Sequence, residues 1–195
     1  MINIARSRMR RMMTAVTLSA AAVAMLSGCY TVNYVEQATA YGPSYVSYVS
    51  RSGSMPTEVF GNPFGTDSQA DAELVSMITL PNGHGSKPAH IMTAKERAEG
   101  HRLVLVFNPA DKLIDGHKVC ENSRFETAPA NGTFVIQAAL CSHSSVISEA
   151  RANVPLVITN INDETFQNMM YSVLAALLPL REGSRNHQCG IKPCA

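Results

Sequence analysis

The sequence predicts an α+β fold: a two-layer sandwich with a mostly antiparallel sheet and two flanking helices, preceded by a flexible tether. Three observations carry this. "HRLVLVFNP" (101–109) holds an unbroken apolar run from Leu103 to Phe107, stopped by Asn108-Pro109, as in a strand covered on both faces. "TFVIQAALC" (133–141) and "SVISEARANV" (145–154) flank Ser142-His143-Ser144, a connection of hairpin length. "NDETFQNMMYSVLAALLPL" (162–180) places Phe166, Met169, Met170, Val173, Leu174 and Leu177 at i, i+3, i+4, i+7 spacing before Pro179, an amphipathic helix able to cover such a sheet.

The chain opens differently. Residues 1–28 combine four arginines, no acid and the apolar run "TAVTLSAAAVAM" (14–25) before Leu26-Ser27-Gly28. That layout is a secretory signal, too short in its apolar part to span a bilayer. The string "LSGC" (26–29) resembles the lipobox of bacterial lipoproteins. The resemblance implies cleavage before Cys29 and acylation of its thiol and its new amine. Two or more chains, at ~0.8 kcal/mol per buried CH₂, anchor a domain durably where one does not. The competing reading is an ordinary signal cut after Ala22-Val23-Ala24. Tyr30 rather than Asp after the cysteine resembles an outer-membrane sorting signal, facing the periplasm.

Without the leader, twelve Lys/Arg stand against fifteen Asp/Glu. A mildly acidic surface without a basic cluster argues against nucleic acid as a partner, and the length from 29 to 195 suits one domain with appendages. The division expected is a signal over 1–28, a tyrosine-rich tether over 29–54, the domain over 55–180 and a polar tail over 181–195.

The tether holds five of the six tyrosines. "SYVSYVS" (44–50) alternates as a short edge strand would. Tyr41, Tyr45 and Tyr48 are candidates for a protein-binding surface, since a tyrosine ring buries area while its hydroxyl stays wet; a plain spacer is the alternative. "EVFGNPFG" (58–65) is turn chemistry. "TDSQADAELVSMI" (66–78) is a helix capped by Asp67 or Ser68, with Ala70, Leu74, Met77 and Ile78 on one face. In 145–154 small residues alternate with a polar set that includes Glu149 and Arg151, which suits a sheet with a helix on one side. Asn162 or Asp163 caps the last helix. "EVFGNPFG", "RLVLVFNP", the hairpin and the closing helix together resemble envelope lipoproteins of proteobacteria. That resemblance implies no activity.

Cys120, Cys141, Cys189 and Cys194 form an even set in an exported chain, which favours disulfides. Sequence proximity favours Cys120–Cys141 and Cys189–Cys194; a zinc site from His117, Cys120, Cys141 and His143 is the rival, with spacings unlike a zinc finger. Four residues intervene between Cys189 and Cys194, unlike a redox pair. No nucleophile elbow, Walker loop or zincin motif is present in the sequence. "DKLIDG" (111–116) lacks the ligand ladder of a calcium loop. The expectation is therefore a non-enzymatic structural or interaction module without cofactor, anchored to the membrane. The alternative is a periplasmic ligand- or metal-binding domain or enzyme built from His84, His90, His101, Asp111, Asp115 and His117.

Overall fold

The computed structural model describes residues 31–111, 115–121, 125–155 and 157–180. Cys29, Cys189, Cys194, the leader and the polar tail lie outside the described residues. Six strands make one sheet: β1 (Thr31–Gln37), β2 (Met55–Phe60), β3 (Ala89–Ile91), β4 (His101–Phe107), β5 (Phe134–Ser142) and β6 (Ser145–Val154), in the order β1-β6-β5-β4-β2-β3. The run β4-β5-β6-β1 is antiparallel, while β2 pairs in parallel with both β4 and β3. Parallel neighbours need crossover connections. These are supplied by two helices, α2 (Ser68–Ser76) between β2 and β3 and α3 (Ala94–Glu99) between β3 and β4. The others are α1 (Pro43–Val49), α4 (Gly116–Cys120) and α5 (Glu164–Leu177). The α+β sandwich with a mostly antiparallel sheet is thus present, with five helices among the described residues instead of two.

Both long helices start where their caps predict. Asp67 accepts the Ala70 amide at 2.8 Å and Asp163 accepts the Thr165 amide at 2.8 Å, satisfying amides that the first turn leaves free. The face of α5 is the predicted one: Phe166, Met169, Met170, Val173, Leu174 and Leu177 are all buried. They pack on Leu103, Leu105, Phe107, Ile136, Ala138 and Leu140 of the sheet. The two methionines are therefore core. α2 ends at Ser76, short of the expected 78; Leu74 on it and Ile78 just beyond it are buried as expected, but Val75 takes the place expected of Met77, which is exposed.

The tether expectation is corrected over its described part. Residues 31–37 form the edge strand β1, paired with β6 from Thr31↔Asn153 to Gln37↔Ser148. Val32 lies in the core at 1 % exposure. A register shift between Val32 and Tyr34 breaks the strand's regularity, which blunts an otherwise open edge. "SYVSYVS" is not an edge strand. Pro43 sits in the first turn of α1, where its missing N–H costs nothing, and Val46 and Val49 bury together at helical spacing. Tyr41 is also core, at 3 % exposure, its hydroxyl donating to the Pro179 carbonyl at 2.6 Å.

The other face of the sheet is thinner. Val104, Val106, Ala139 and Cys141 pack there against Val119 and Cys120 of α4. Cys120 and Cys141 are disulfide-bonded, with Cα atoms 5.5 Å apart; Cys189 and Cys194 lie outside the described residues. The hairpin closes through His143, in the left-handed region at φ 55°. A register shift between Leu140 and Cys141 makes Ile147 an extra residue. It joins the helical core with Ala150, Ala152 and Val154, while Val146 packs on the thin face. A bulge inverts which side chains meet which face.

Arg102 sits on this thin face at 2 % exposure, directly opposite Cys141 in register. Its Nε donates to Glu58 at 3.0 Å, its Nη2 to the Cys120 carbonyl at 2.8 Å and its Nη1 to the Gly100 and His143 carbonyls at 3.3 and 3.2 Å. Glu58 also receives Arg97 of α3. Truncating one member of a buried charged network leaves the rest unpaired, at roughly 3–5 kcal/mol. Arg102→Met is expected to lose about that much stability in urea unfolding at neutral pH. A loss under ~1 kcal/mol contradicts the assignment of Arg102 as the clamp.

Candidate functional site

The six loop residues considered as ligands do not converge. His84, 8 % exposed, donates Nε2 to the Leu178 carbonyl at 2.7 Å and ties the 82–84 turn to the end of α5. His90 donates Nε2 to both carboxylate oxygens of Glu96, at 2.9 and 3.0 Å. Asp115 caps α4 by accepting the His117 amide at 3.0 Å; Asp111 and His117 are exposed. No group of three metal-ligating side chains occurs among the described residues. The zinc alternative from His117, Cys120, Cys141 and His143 is excluded by the Cys120–Cys141 disulfide, since a bonded sulfur is no thiolate ligand. Asp163 and Glu164 stand at the first turn of α5, with Asp163 as its cap.

One aromatic and imidazole cluster does assemble, at the end of the sheet where β4 begins and the β5–β6 hairpin turns. Tyr48 meets His101 edge to face at 5.2 Å between centroids, Tyr45 meets His101 at 5.8 Å, and His101 meets His143 at 5.3 Å. The Arg51 guanidinium lies 4.5 Å above the Tyr48 ring and pairs with Glu99 at 2.6 Å. Each part is placed by local chemistry. Tyr45 and Tyr48 occupy one side of α1, three residues apart. Gly100, at φ +76°, ends α3 in the left-handed region. A Cβ on Gly100 would come within 2.4 Å of the His143 ring, so only glycine lets that imidazole close in.

Tyr45 Oη lies 2.8 Å from His101 Nδ1 and 3.2 Å from the Cys141 carbonyl. One hydroxyl proton cannot serve both. Both are satisfied when His101 Nδ1–H donates to the phenol oxygen and the phenol proton goes to the carbonyl. Burial, then the charges of His143 and Arg51, push the His101 pKa down, with Glu99 opposing them. Neutral pH therefore finds His101 uncharged, with its ring contacting aromatic neighbours on two sides.

Of the three tyrosines expected to form a binding surface, Tyr48 alone is exposed, at 48 %. Tyr45 is half-buried and Tyr41 belongs to the core. Beside them lies a cleft of about 360 Å³ lined by Arg51, Ser52, Pro56, Thr93, Lys95, Glu96, Glu99 and His101. Burial opposes ionisation of Glu96, but the Thr93 amide, His90 and the Thr93 hydroxyl outweigh it and hold that carboxyl below its ordinary range. The cleft thus presents carboxylates and cations side by side with the His101 ring, groups capable of ion pairing and ring contact.

Sequence reasoning missed α3, although Thr93-x-x-Glu96 is a capping box legible in the sequence and fully formed in the structure. It also missed a second polar cluster beneath α4. Glu149 is 5 % exposed, accepts Gln137 Nε2 at 2.6 Å and lies 3.8 Å from Arg151. Comparisons with protein-family models, curated proteins and solved structures returned no match.

Burial raises the Glu149 carboxyl to about 7, outweighing Arg151 and Gln137. The folded state then holds a proton that the unfolded chain, ionising near the ordinary 4.5, has released. Stability is expected to fall as pH rises from that ordinary value through neutrality. Glu149→Gln is expected to flatten this slope in thermal unfolding followed across that interval; an unchanged slope contradicts it.

Proposed function

We propose that this chain is a lipid-anchored cell-envelope protein that works as a non-enzymatic interaction module. Cys29 carries the acyl chains, the anchor lies in the outer membrane, and the domain faces the periplasm. Another envelope protein is the partner, engaged through Tyr48, His101, His143 and the Arg51–Glu99 pair, with Tyr45 supporting the rings from below.

The observation that carries the reading is this exposed aromatic cluster on rigid elements, the ends of α1, α3 and the β5–β6 hairpin. Aromatic residues and arginine are the residue types that anchor protein interfaces, and rigid rings lose little entropy when covered. The lipobox-like "LSGC" supports the anchor. The Cys120–Cys141 bond supports an oxidising compartment.

The test uses the full chain expressed with its leader and recovered from membranes. Mass spectrometry of the first peptide is expected to begin at Cys29 and to carry acyl groups on sulfur and nitrogen. Photo-crosslinking from position 52, exposed at the edge of the cleft, is expected to trap one recurring envelope protein, and Tyr48→Ala with His143→Ser to lower its yield about tenfold at unchanged melting temperature. Recovery only as a free monomer under every crosslinking condition overturns the interaction reading. An unacylated product starting elsewhere overturns the anchor.

A further inference from the structure

We infer that the bilayer itself is docked by one particular end of the domain, the end opposite the Tyr48–His101–His143 cluster; this rests on acylation of Cys29. The argument is covalent. The first paired residue, Thr31, is only two positions beyond Cys29, and two residues separate Cα atoms by at most ~7 Å. The acyl chains therefore enter the membrane next to Thr31, and no spacer lets the domain turn freely.

The register states which surface that brings down. Thr31 stands opposite Asn153, at the end of the sheet where β6 finishes at Val154 and β5 starts at Phe134. Residues 157–162 follow β6 at that end. Ile158 pins them in the core at 3 % exposure, while Val157 stands out at 52 %. An exposed valine held by a buried neighbour on a loop beside the lipid is suited to headgroup-level contact. Among the described residues, Asp111 and Glu126 are exposed on the connection between β4 and β5, acids that anionic headgroups would repel. The source of the docking is the tether length and the apolar loop.

The cluster lies at the other end. From Asn153 to Ser145, β6 runs eight residue steps, ~25 Å at the usual strand rise. A bilayer-docked domain thus points Tyr48 and the neighbouring cleft away from the lipid and offers them to a partner at about the height of the domain.

The chain has no tryptophan, so one introduced indole reports its own surroundings. Acylated full-length Val157→Trp and Tyr48→Trp are reconstituted in phosphatidylcholine vesicles containing brominated acyl chains. Thr159→Trp, another exposed position on the loop, serves as the second lipid-side probe should Val157→Trp fold poorly. Quenching is expected to be several-fold stronger on the loop than at position 48. Equal quenching at both ends, or stronger quenching at position 48, in protein that floats with the vesicles overturns the orientation and leaves the anchor standing. Protein that neither floats nor carries acyl mass overturns both.

Discussion

A guanidinium out of water must find partners, and the placing of Arg102 organises the thin side of this domain. Its immediate neighbours on β4 alternate between the two faces: Leu103, Leu105 and Phe107 enter the helical core, while Val104 and Val106 share the thin face with Arg102. Among the described residues, the five of α4 are the helical cover on that face near the hairpin. Apolar burial there is modest, so polar attachments carry a larger share. Arg102 supplies four of them, to Glu58, Gly100, Cys120 and His143. The disulfide to Cys141 adds a covalent hold on the same helix, worth roughly 3 kcal/mol for a loop of about this length in the chain-entropy model.

The same fork connects structure to surface. By accepting from Arg102, the carbonyls of Gly100 and His143 fix the two turns that carry the His101–His143 contact. The aromatic cluster is therefore no loose collection of side chains. α1 brings its tyrosines from the helical core, and the hairpin brings His143 from the thin side. They meet over His101 at the start of the central strand. Rigid presentation lowers the entropy that binding must overcome.

Much of the fold was legible, for identifiable reasons. β4, the hairpin, α2 and α5 announce themselves by apolar periodicity and by acidic caps. These signals are local, and the structure obeys them. Three failures also have physical causes. "SYVSYVS" alternates like a strand and repeats every third residue like a helix, and burial of Val46 and Val49 decided between them. β1 hid because its bulge interrupts the alternation and its partner β6 is more than a hundred residues away. The shift at Leu140/Cys141 cannot be seen in composition, yet it sends Ile147 rather than Val146 into the helical core. Of the site, Tyr48 and the Cys120–Cys141 bond were readable. The joining of His101 to His143, and the burial of Glu149, depend on strand pairings that no motif encodes.

Segment-resolved hydrogen exchange on wild-type protein and Arg102→Lys tests the clamp most directly, because lysine keeps the charge but loses the planar fork. The account predicts faster exchange confined to residues 116–121 and to the turn at 142–145, with α5 and β1 as slow as before. Unchanged protection in α4 and the hairpin turn, or loosening spread evenly over the whole domain, contradicts it.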